Sequence, residues 1–282
     1  MSDYAIVTDS LSSLPQELID RFQIIVVPQV LIWGEEEFLD GVNITPTEFY
    51  TRLRTDPVMP TTSQATVASF QSVFEPLASQ GKEILTIVGS SKLTATLNSA
   101  EQAKGLFPDA RIEILDSMGV AMALGFQVLA AARAREAGKS FADAVATAKK
   151  AKEQSGVLFV VETLEYLHRG GRIGGASRLL GTALNLKPLL ELQEGRVEPV
   201  ERIRTKAKAH NRLVEVIVER LKDQPDVRLS TLHADAEVDA HALMEAAKKH
   251  LDPIETVYSE VTPVIGTHAG PGTVGLAYSY GI

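Results

Sequence analysis

Short apolar runs alternate with amphipathic stretches through the first half of the chain. The runs at 4–8, 24–32, 84–88 and 111–115 predict strands. Stretches with helical periodicity lie between and after them, near 15–22, 46–55, 66–80, 95–106, 118–137 and 140–154. Strands that alternate with helices in this way are typical of a parallel sheet covered by helices. The first half therefore predicts an α/β domain.

The pattern changes close to residue 155. A strand is predicted at 157–161, and a hairpin at 186–201 that turns at Glu194-Gly195. Helices near 205–223 and 236–250 and strands at 227–233, 254–260 and 263–268 follow, an order typical of an α+β domain. We predict an N-terminal parallel-sheet α/β domain at 1–155 and a C-terminal α+β domain at 156–282.

Composition narrows the class of protein. The 282 residues are 45% hydrophobic and 23% charged, which is ordinary for a globular chain, and the formal net charge is −8. A negative balance disfavours nucleic acid as a partner, because duplex binding relies on lysine and arginine to neutralise phosphates. The sequence lacks cysteine, a secretion signal and an apolar run of about 18 residues. We expect a soluble cytoplasmic protein with no stable membrane insertion.

The turn Arg169-Gly170-Gly171-Arg172 is the first candidate binding element. Its glycines let the backbone turn sharply, so two guanidinium groups could lie beside exposed N–H groups and hold a carboxylate or phosphate. A helix that ends in glycine with arginine in its last turn would give the same residues. Both interpretations stay open from the sequence.

Hydroxyl-rich loops precede two predicted helices. They are Thr61-Thr62-Ser63-Gln64-Ala65-Thr66 and Ser90-Ser91-Lys92-Leu93-Thr94-Ala95-Thr96, and a related segment, Asp9-Ser10-Leu11-Ser12-Ser13, follows the first strand. Such hydroxyls cap free backbone N–H groups, but the same donors can hold an anionic ligand at the ligand-binding edge of an α/β sheet. Asp9 either orients the neighbouring hydroxyls or braces the turn.

Near the C-terminus, residues 270–275 spell G-x-G-x-x-G, but a dinucleotide site also needs a following βαβ unit, for which the sequence has no room. His268 follows a predicted strand and precedes these glycines, so it is either a ligand-contacting or a structural residue. The other histidines have no metal-ligand spacing, and we predict no metal site. Phosphate-loop, nucleophile-elbow and paired-carboxylate signatures are missing, which favours binding over catalysis.

These motifs together resemble the DegV family. The residues that carry the resemblance run, in order, Asp9-Ser10, Thr62-Ser63-Gln64, Ser90 to Ala100, Arg169 to Ile173 and His268 to Gly272. The resemblance covers essentially the whole chain. It implies two domains with a long-chain fatty acid between them and no further cofactor. It also implies a role like that of FakB, which presents the fatty acid to FakA, a separate ATP-using kinase subunit, for conversion to acyl phosphate.

Site roles follow from the resemblance by position. It implies that Thr62 and Thr94 hold the carboxylate, that backbone N–H groups around Thr94 and Ala95 assist, and that His268 joins the same polar network. Supporting or partner-facing positions are Ser63, Asp9, Ser10, Arg172 and Arg204. The family usually has Ser-Gly-Thr where this chain has Thr94-Ala95-Thr96, and serine where it has Gly174. The alternatives are a stand-alone phosphotransferase or other nucleotide-dependent enzyme, and a lipid-responsive regulator.

Overall fold

The structure is a computed structural model that describes residues 4–181 and 186–282. The strands are β1 (Tyr4–Asp9), β2 (Ile25–Val27), β3 (Val30–Trp33), β4 (Glu36–Leu39), β5 (Thr61–Ser63), β6 (Glu83–Val88), β7 (Ile112–Asp116), β8 (Ser155–Val160), β9 (Leu189–Gln193), β10 (Arg196–Glu201), β11 (Arg228–His233), β12 (Glu255–Val257) and β13 (Val274–Ser279). The α-helices are α1 (Gln16–Arg21), α2 (Pro46–Leu53), α3 (Val67–Ser79), α4 (Thr96–Lys104), α5 (Met122–Glu136), α6 (Phe141–Glu153), α7 (Glu165–Arg169), α8 (Lys206–Leu221), α9 (Glu237–Lys248) and α10 (Pro263–Ala269).

The first sheet has the order β2-β1-β6-β7, and every neighbouring pair is parallel. Its central strands are apolar on both faces because helices cover both. Ala5 and Val7 pack in one core with Phe70 and Phe74 of α3, whereas Tyr4 and Ile6 pack in another with α5 and α6. The predicted parallel-sheet α/β fold is confirmed for this half of the chain.

The second sheet is mixed, with the order β10-β9-β8-β13-β11-β12. Its strand pairs are antiparallel except for β11 and β12. One face packs on α8 and α9, and the other face contributes Val157, Phe159 and Leu232 to the core that contains α5. The mixture of sheet and helices agrees with the predicted α+β half.

Helix α5 lies between the two large sheets. It contacts β1 and β6 of the first sheet and β8, β13 and β11 of the second. A helix covered on both sides has no solvent-facing stripe, which explains why its residues from Met122 to Ala132 are all buried. The space beside this helix, between the sheets, is where a ligand could be enclosed.

A small third sheet, with the order β4-β3-β5, was not predicted. The strand predicted at 24–32 is wrong as a single element, because Pro28 and Gln29 divide it into β2 in the parallel sheet and β3 in the small sheet. Proline has no N–H to donate to a neighbouring strand, so the ladder stops there. Residues 61–63, predicted as part of a loop, pair with β3 as β5.

The strand predicted at 263–268 is also wrong, since these residues form helix α10. Pro263 occupies the first turn, and the buried carboxylate of Asp40 accepts the N–H of Val264 at 3.1 Å, which caps the helix from outside. A short apolar run fits a strand and a buried helix equally well. The following glycines lead from α10 into β13, the reverse of the strand-to-helix order in a dinucleotide fingerprint.

The change from the first large sheet to the second falls at Ser155, where β8 begins. Helix α10 nevertheless packs against α2, β3 and β5 of the N-terminal half. The domain division at residue 155 stays a prediction. Within 4–181 and 186–282, no helix combines the length and apolarity needed to cross a bilayer.

Gly174 lies in the segment that follows α7 and packs against β10, and a substitution tests this contact. Its φ is +51°, and a β-carbon there would collide with the carbonyl oxygen of Val197 in β10. We expect Gly174→Ser to lower the free energy of unfolding by about 2 to 3 kcal/mol through strain and collision together. Gly171→Ser is the control, since Gly171 has a φ of +69° with open space around it. Equal losses in denaturant titrations of the two variants would contradict the predicted collision.

Candidate ligand-binding cavity

A cavity of about 1000 Å³, counted to its open mouth, lies between the sheets beside the start of α5. Most of its wall is apolar and comes from both halves of the chain: Leu11, Leu93, Val120, Ala121, Val157, Phe159, Leu167, Leu192, Val197, Leu232, Val261, Val264, Ile265 and Ala269. Such a wall favours a ligand with a large hydrocarbon part.

Polar side chains also reach the cavity wall. The structure brings together all four residues predicted to bind a carboxylate, which are Thr62, Thr94, Ala95 and His268. Ala95 and Gln64, which both line the cavity, are exposed to solvent, so this group lies at the rim of the cavity. The remaining polar members of the wall are Gln29, Ser63, Arg172 and Thr273.

His268 and Thr62 form one half of the polar group. Thr62 lies on β5 and His268 at the end of α10, and their Oγ1 and Nε2 atoms are 2.7 Å apart although the residues are 206 positions apart in sequence. Burial, and secondarily the positive charge of Arg172, lowers the pKa of His268 to about 4. The imidazole is therefore neutral at pH 7.

Thr94 belongs to the other half, in the loop before α4. Its hydroxyl is 2.8 Å from that of Thr96, which in turn accepts a hydrogen bond from Nε2 of Gln29 at 2.8 Å. The N–H of Thr94 donates to the carbonyl of Ser90 at 3.1 Å, so that donor is already used within the loop. The N–H of Thr96 also donates within the loop, to the Thr94 hydroxyl at 3.3 Å, which leaves the N–H of Ala95 as the expected backbone donor to a ligand.

The two arginines of the glycine turn lie in different environments. Arg172 lines the cavity, and its guanidinium donates to the carbonyls of Leu93 at 3.1 Å and Gly170 at 2.7 Å. Arg169 ends α7 on the surface and pairs with Glu165 at 2.5 Å. The turn is thus a helix C-terminus that places one guanidinium at the cavity, and the two arginines do not share an anion site.

Asp9 and Ser10 lie behind the cavity wall. The carboxylate of Asp9 accepts the N–H groups of Leu11 and Gly89, each at 2.9 Å. The hydroxyl of Ser10 donates to Asp40 at 2.7 Å and accepts the N–H of Gln29 at 3.1 Å. Burial raises the pKa of both Asp9 and Asp40 to about 6. These groups brace the loops that carry the cavity residues.

Of the other supporting positions, Ser63 reaches the cavity wall, whereas Arg204 does not. Arg204 is exposed in a separate surface groove with Arg202 and Lys208. Across residues 4–181 and 186–282, no group of His, Cys, Asp and Glu side chains is arranged to hold a metal ion.

Comparison with known proteins identifies the family. A sequence model described as "Uncharacterised protein, DegV family" matches residues 3–281. The chain belongs to the DegV family. A DegV domain-containing protein of Streptomyces coelicolor is 37% identical over 98% of each chain, and one of Clostridium perfringens is 34% identical over 97% of this chain and 98% of the other.

Several solved structures, DegV proteins among them, have the same fold. One described as showing fatty acid binding of a DegV family protein from Thermus thermophilus has a TM-score of 0.93 and 35% identity, covering 99% of both chains. DegV from Bacillus subtilis, described as a fatty acid binding protein, has a TM-score of 0.91 and 28% identity over the full length of both chains. A stearic acid-binding protein from Eubacterium ventriosum has a TM-score of 0.89 and 26% identity over 98% of each chain.

Sequence reasoning missed Gln29, which is 1% exposed and connects both hydroxyl loops of this DegV protein. Its Oε1 accepts the N–H of Ala65, two residues from Ser63, while its Nε2 reaches Thr96 beside Thr94. In the sequence, Gln29 is recognisable only as a polar residue after Pro28 within an apolar run. Its hydrogen-bond partners Ala65 and Thr96 could not be identified, because they lie 36 and 67 positions away.

The pKa of His268 predicts a pH dependence of stability. Its folded value of about 4 lies below the ordinary value of about 6.5, so the unfolded chain takes up the proton first as the pH falls, and stability is lost between about pH 6.5 and 4. Asp9 and Asp40, with pKa values raised to about 6, act in the opposite direction. The contribution of His268 is therefore best isolated by comparison with His268→Asn.

From pH 7 to pH 5, we expect the ligand-free protein to lose about 2 kcal/mol of unfolding free energy relative to His268→Asn. Both aspartates are present in each protein, so their effects cancel in the difference. Urea titrations at the two pH values measure it. Parallel pH profiles for the two proteins would show that His268 does not titrate as its burial requires.

Proposed function

We propose that this DegV protein binds a long-chain fatty acid, with the acyl chain in the cavity and the carboxylate at the polar rim. The observation that carries the proposal is the apolar cavity between the sheets, with Thr62, Thr94, Arg172 and His268 gathered at its mouth. Solved relatives described as fatty-acid-binding proteins, with 26–35% identity over nearly all of both chains, support the same ligand class.

Burial of the acyl chain would supply most of the affinity. Each methylene removed from water contributes roughly 0.8 kcal/mol, so about 14 of them contribute on the order of 11 kcal/mol before losses of chain and rotational entropy. The head group then needs enough donors to offset the cost of desolvating its charge. Neutral hydroxyls, the N–H of Ala95 and one guanidinium meet this need without enclosing an ion pair deep in the core.

We further propose that the bound fatty acid is presented to a separate ATP-dependent kinase subunit of the FakA type. The exposed Gln64 and Ala95 leave the rim accessible from solvent, and the sequence has no phosphate-binding loop of its own. In the proposed reaction, a carboxylate oxygen attacks the γ-phosphorus of ATP on the kinase, the bond from phosphorus to the ADP oxygen breaks, and an acyl phosphate forms. This chain would bind and orient the substrate.

Lipid analysis tests the binding proposal directly. We expect denaturing solvent extraction of the purified protein, followed by mass spectrometry, to release a long-chain fatty acid in nearly equimolar amount. Removing the lipid should also lower the melting temperature, because a ligand that binds only the folded state stabilises it. Folded protein that yields no fatty acid, and whose melting temperature is unchanged when fatty acid is added, would contradict the proposal.

Two arginine variants separate lipid binding from kinase contact. Arg172 lines the cavity, whereas Arg204 is exposed away from it. We expect Arg172→Ala to weaken fatty acid binding by roughly tenfold, since a hydrogen bond to a charged group is worth about 1.5–3 kcal/mol. Arg204→Ala should leave fatty acid affinity unchanged and reduce acyl-phosphate formation in a mixture of this protein, ATP and the cognate kinase.

The control for this pair is Arg21→Ala, because Arg21 is exposed on α1 and does not line the cavity. If acyl phosphate forms equally well without this protein, the proposed presentation of the fatty acid to a kinase is wrong. A lipid-responsive regulator then remains as the alternative.

A further inference from the structure

The buried side of the His268 ring is the unexplained feature of the cavity. Its Nδ1 atom is buried without a hydrogen-bond partner. Gly170 lies directly against this atom, and a β-carbon on Gly170 would occupy the space of the ring. The polar groups of Gly170 are engaged elsewhere, since its N–H donates to Tyr166 at 2.9 Å and its carbonyl accepts from Arg172 at 2.7 Å. Only the α-hydrogens of Gly170 remain to face the ring.

This packing determines which ring nitrogen carries the proton. A protonated Nδ1 would be a buried donor without an acceptor, directed at α-hydrogens and close to the positive charge of Arg172. A lone pair on Nδ1 instead gains a weak attraction from an α-hydrogen and is favoured by that charge. The proton therefore lies on Nε2 and is donated to Oγ1 of Thr62 over 2.7 Å. The hydroxyl proton of Thr62 is left free for a ligand.

The hydrogen bonds around Thr94 likewise leave its hydroxyl proton free for a ligand. The N–H of Ala65 fixes the amide of Gln29 with its oxygen toward Ala65, so its nitrogen must donate to Thr96. The Thr96 hydroxyl proton goes to Thr94 at 2.8 Å in preference to the alternative acceptor, Oε1 of Gln29, which is farther away at 3.2 Å and already accepts the N–H of Ala65. The Thr94 oxygen also accepts the N–H of Thr96 at 3.3 Å. Its own proton is free for a ligand.

We propose that Thr62, Thr94 and Arg172 direct hydrogen-bond donors into the rim and so select an ionised carboxylate, and that Gly170 is the positioning residue that fixes the hydrogen-bond direction at Thr62. The inference rests on the proposed function and specifies its head-group chemistry. Thr62 and Thr94 each present a proton, and Arg172 presents donors with a positive charge. A fatty alcohol carries no negative charge to match these donors and the guanidinium of Arg172, and a fatty amine meets a like charge.

Binding of three probes with the same acyl length tests the selectivity. Delipidated protein at pH 8 is titrated with hexadecanoate, hexadecanol and hexadecylamine. We expect hexadecanoate to bind at least about tenfold more tightly than either of the others, the equivalent of one charge-assisted hydrogen bond. Thr62→Val, which keeps the side-chain shape without the hydroxyl, should reduce this preference by about tenfold while hexadecanol affinity changes little.

Gly170→Ala tests the positioning role. It should lose hexadecanoate affinity by about tenfold, because its methyl group displaces the ring that orients Thr62. In a His268→Ala background, the same substitution should change affinity less than about twofold, since the colliding ring is gone. Gly171→Asn is the matched control, because Gly171 faces open space and asparagine tolerates its positive φ. Equal losses from Gly170→Ala in the two backgrounds would overturn the role of Gly170.

A third measurement is independent of lipid binding. Imidazole nitrogen NMR of the ligand-free wild-type protein at pH 7 should show the proton of His268 on Nε2, and a proton on Nδ1 would overturn the proposed polarity. Hexadecanoate and hexadecanol binding with equal affinity would overturn the carboxylate selectivity while leaving lipid binding intact. Failure of every probe to bind would instead overturn the proposed function and, with it, the selectivity.

Discussion

The hydrogen bond between Thr62 and His268 connects the small β-sheet of the N-terminal half to helix α10 near the C-terminus. A polar contact in an apolar cavity persists only if its members are held in place, because an unmatched buried donor or acceptor costs about 1–3 kcal/mol. Both members are held. Thr62 is fixed by the pairing of β5 with β3, and α10 is capped by Asp40, which also accepts a hydrogen bond from Ser10. The rim of the cavity thus depends on buried polar groups that do not line it.

The large-scale organisation followed from the hydrophobic pattern. Alternating apolar runs and amphipathic stretches predicted the parallel sheet correctly, because strands covered by helices on both faces must be continuously apolar. The hydroxyl loops before α3 and α4 were predicted as candidate ligand-binding loops from their position ahead of helices, and Thr62, Thr94 and Ala95 of these loops line the cavity. Their roles in holding a carboxylate came from the resemblance to the DegV family and stay proposals.

Long-range contacts account for what the sequence could not show. Residues 263–268 are apolar enough for a strand, and the carboxylate that caps them as a helix is contributed by Asp40, 224 positions earlier. The division at Pro28 and Gln29 depends on two different sheets being available to β2 and β3. Arg169 and Arg172 look equivalent in sequence, yet only the guanidinium of Arg172 reaches the carbonyl of Leu93 across the cavity rim.

A crystal structure of the protein as purified from cells tests the central claim most directly. The claim predicts continuous electron density for an unbranched chain along the apolar wall past Phe159 and Leu232, ending in a carboxylate within hydrogen-bonding distance of Thr62 and Thr94. Side chains that close the space between Val157, Leu232 and Val264, and leave no room for a hydrocarbon chain, would contradict it.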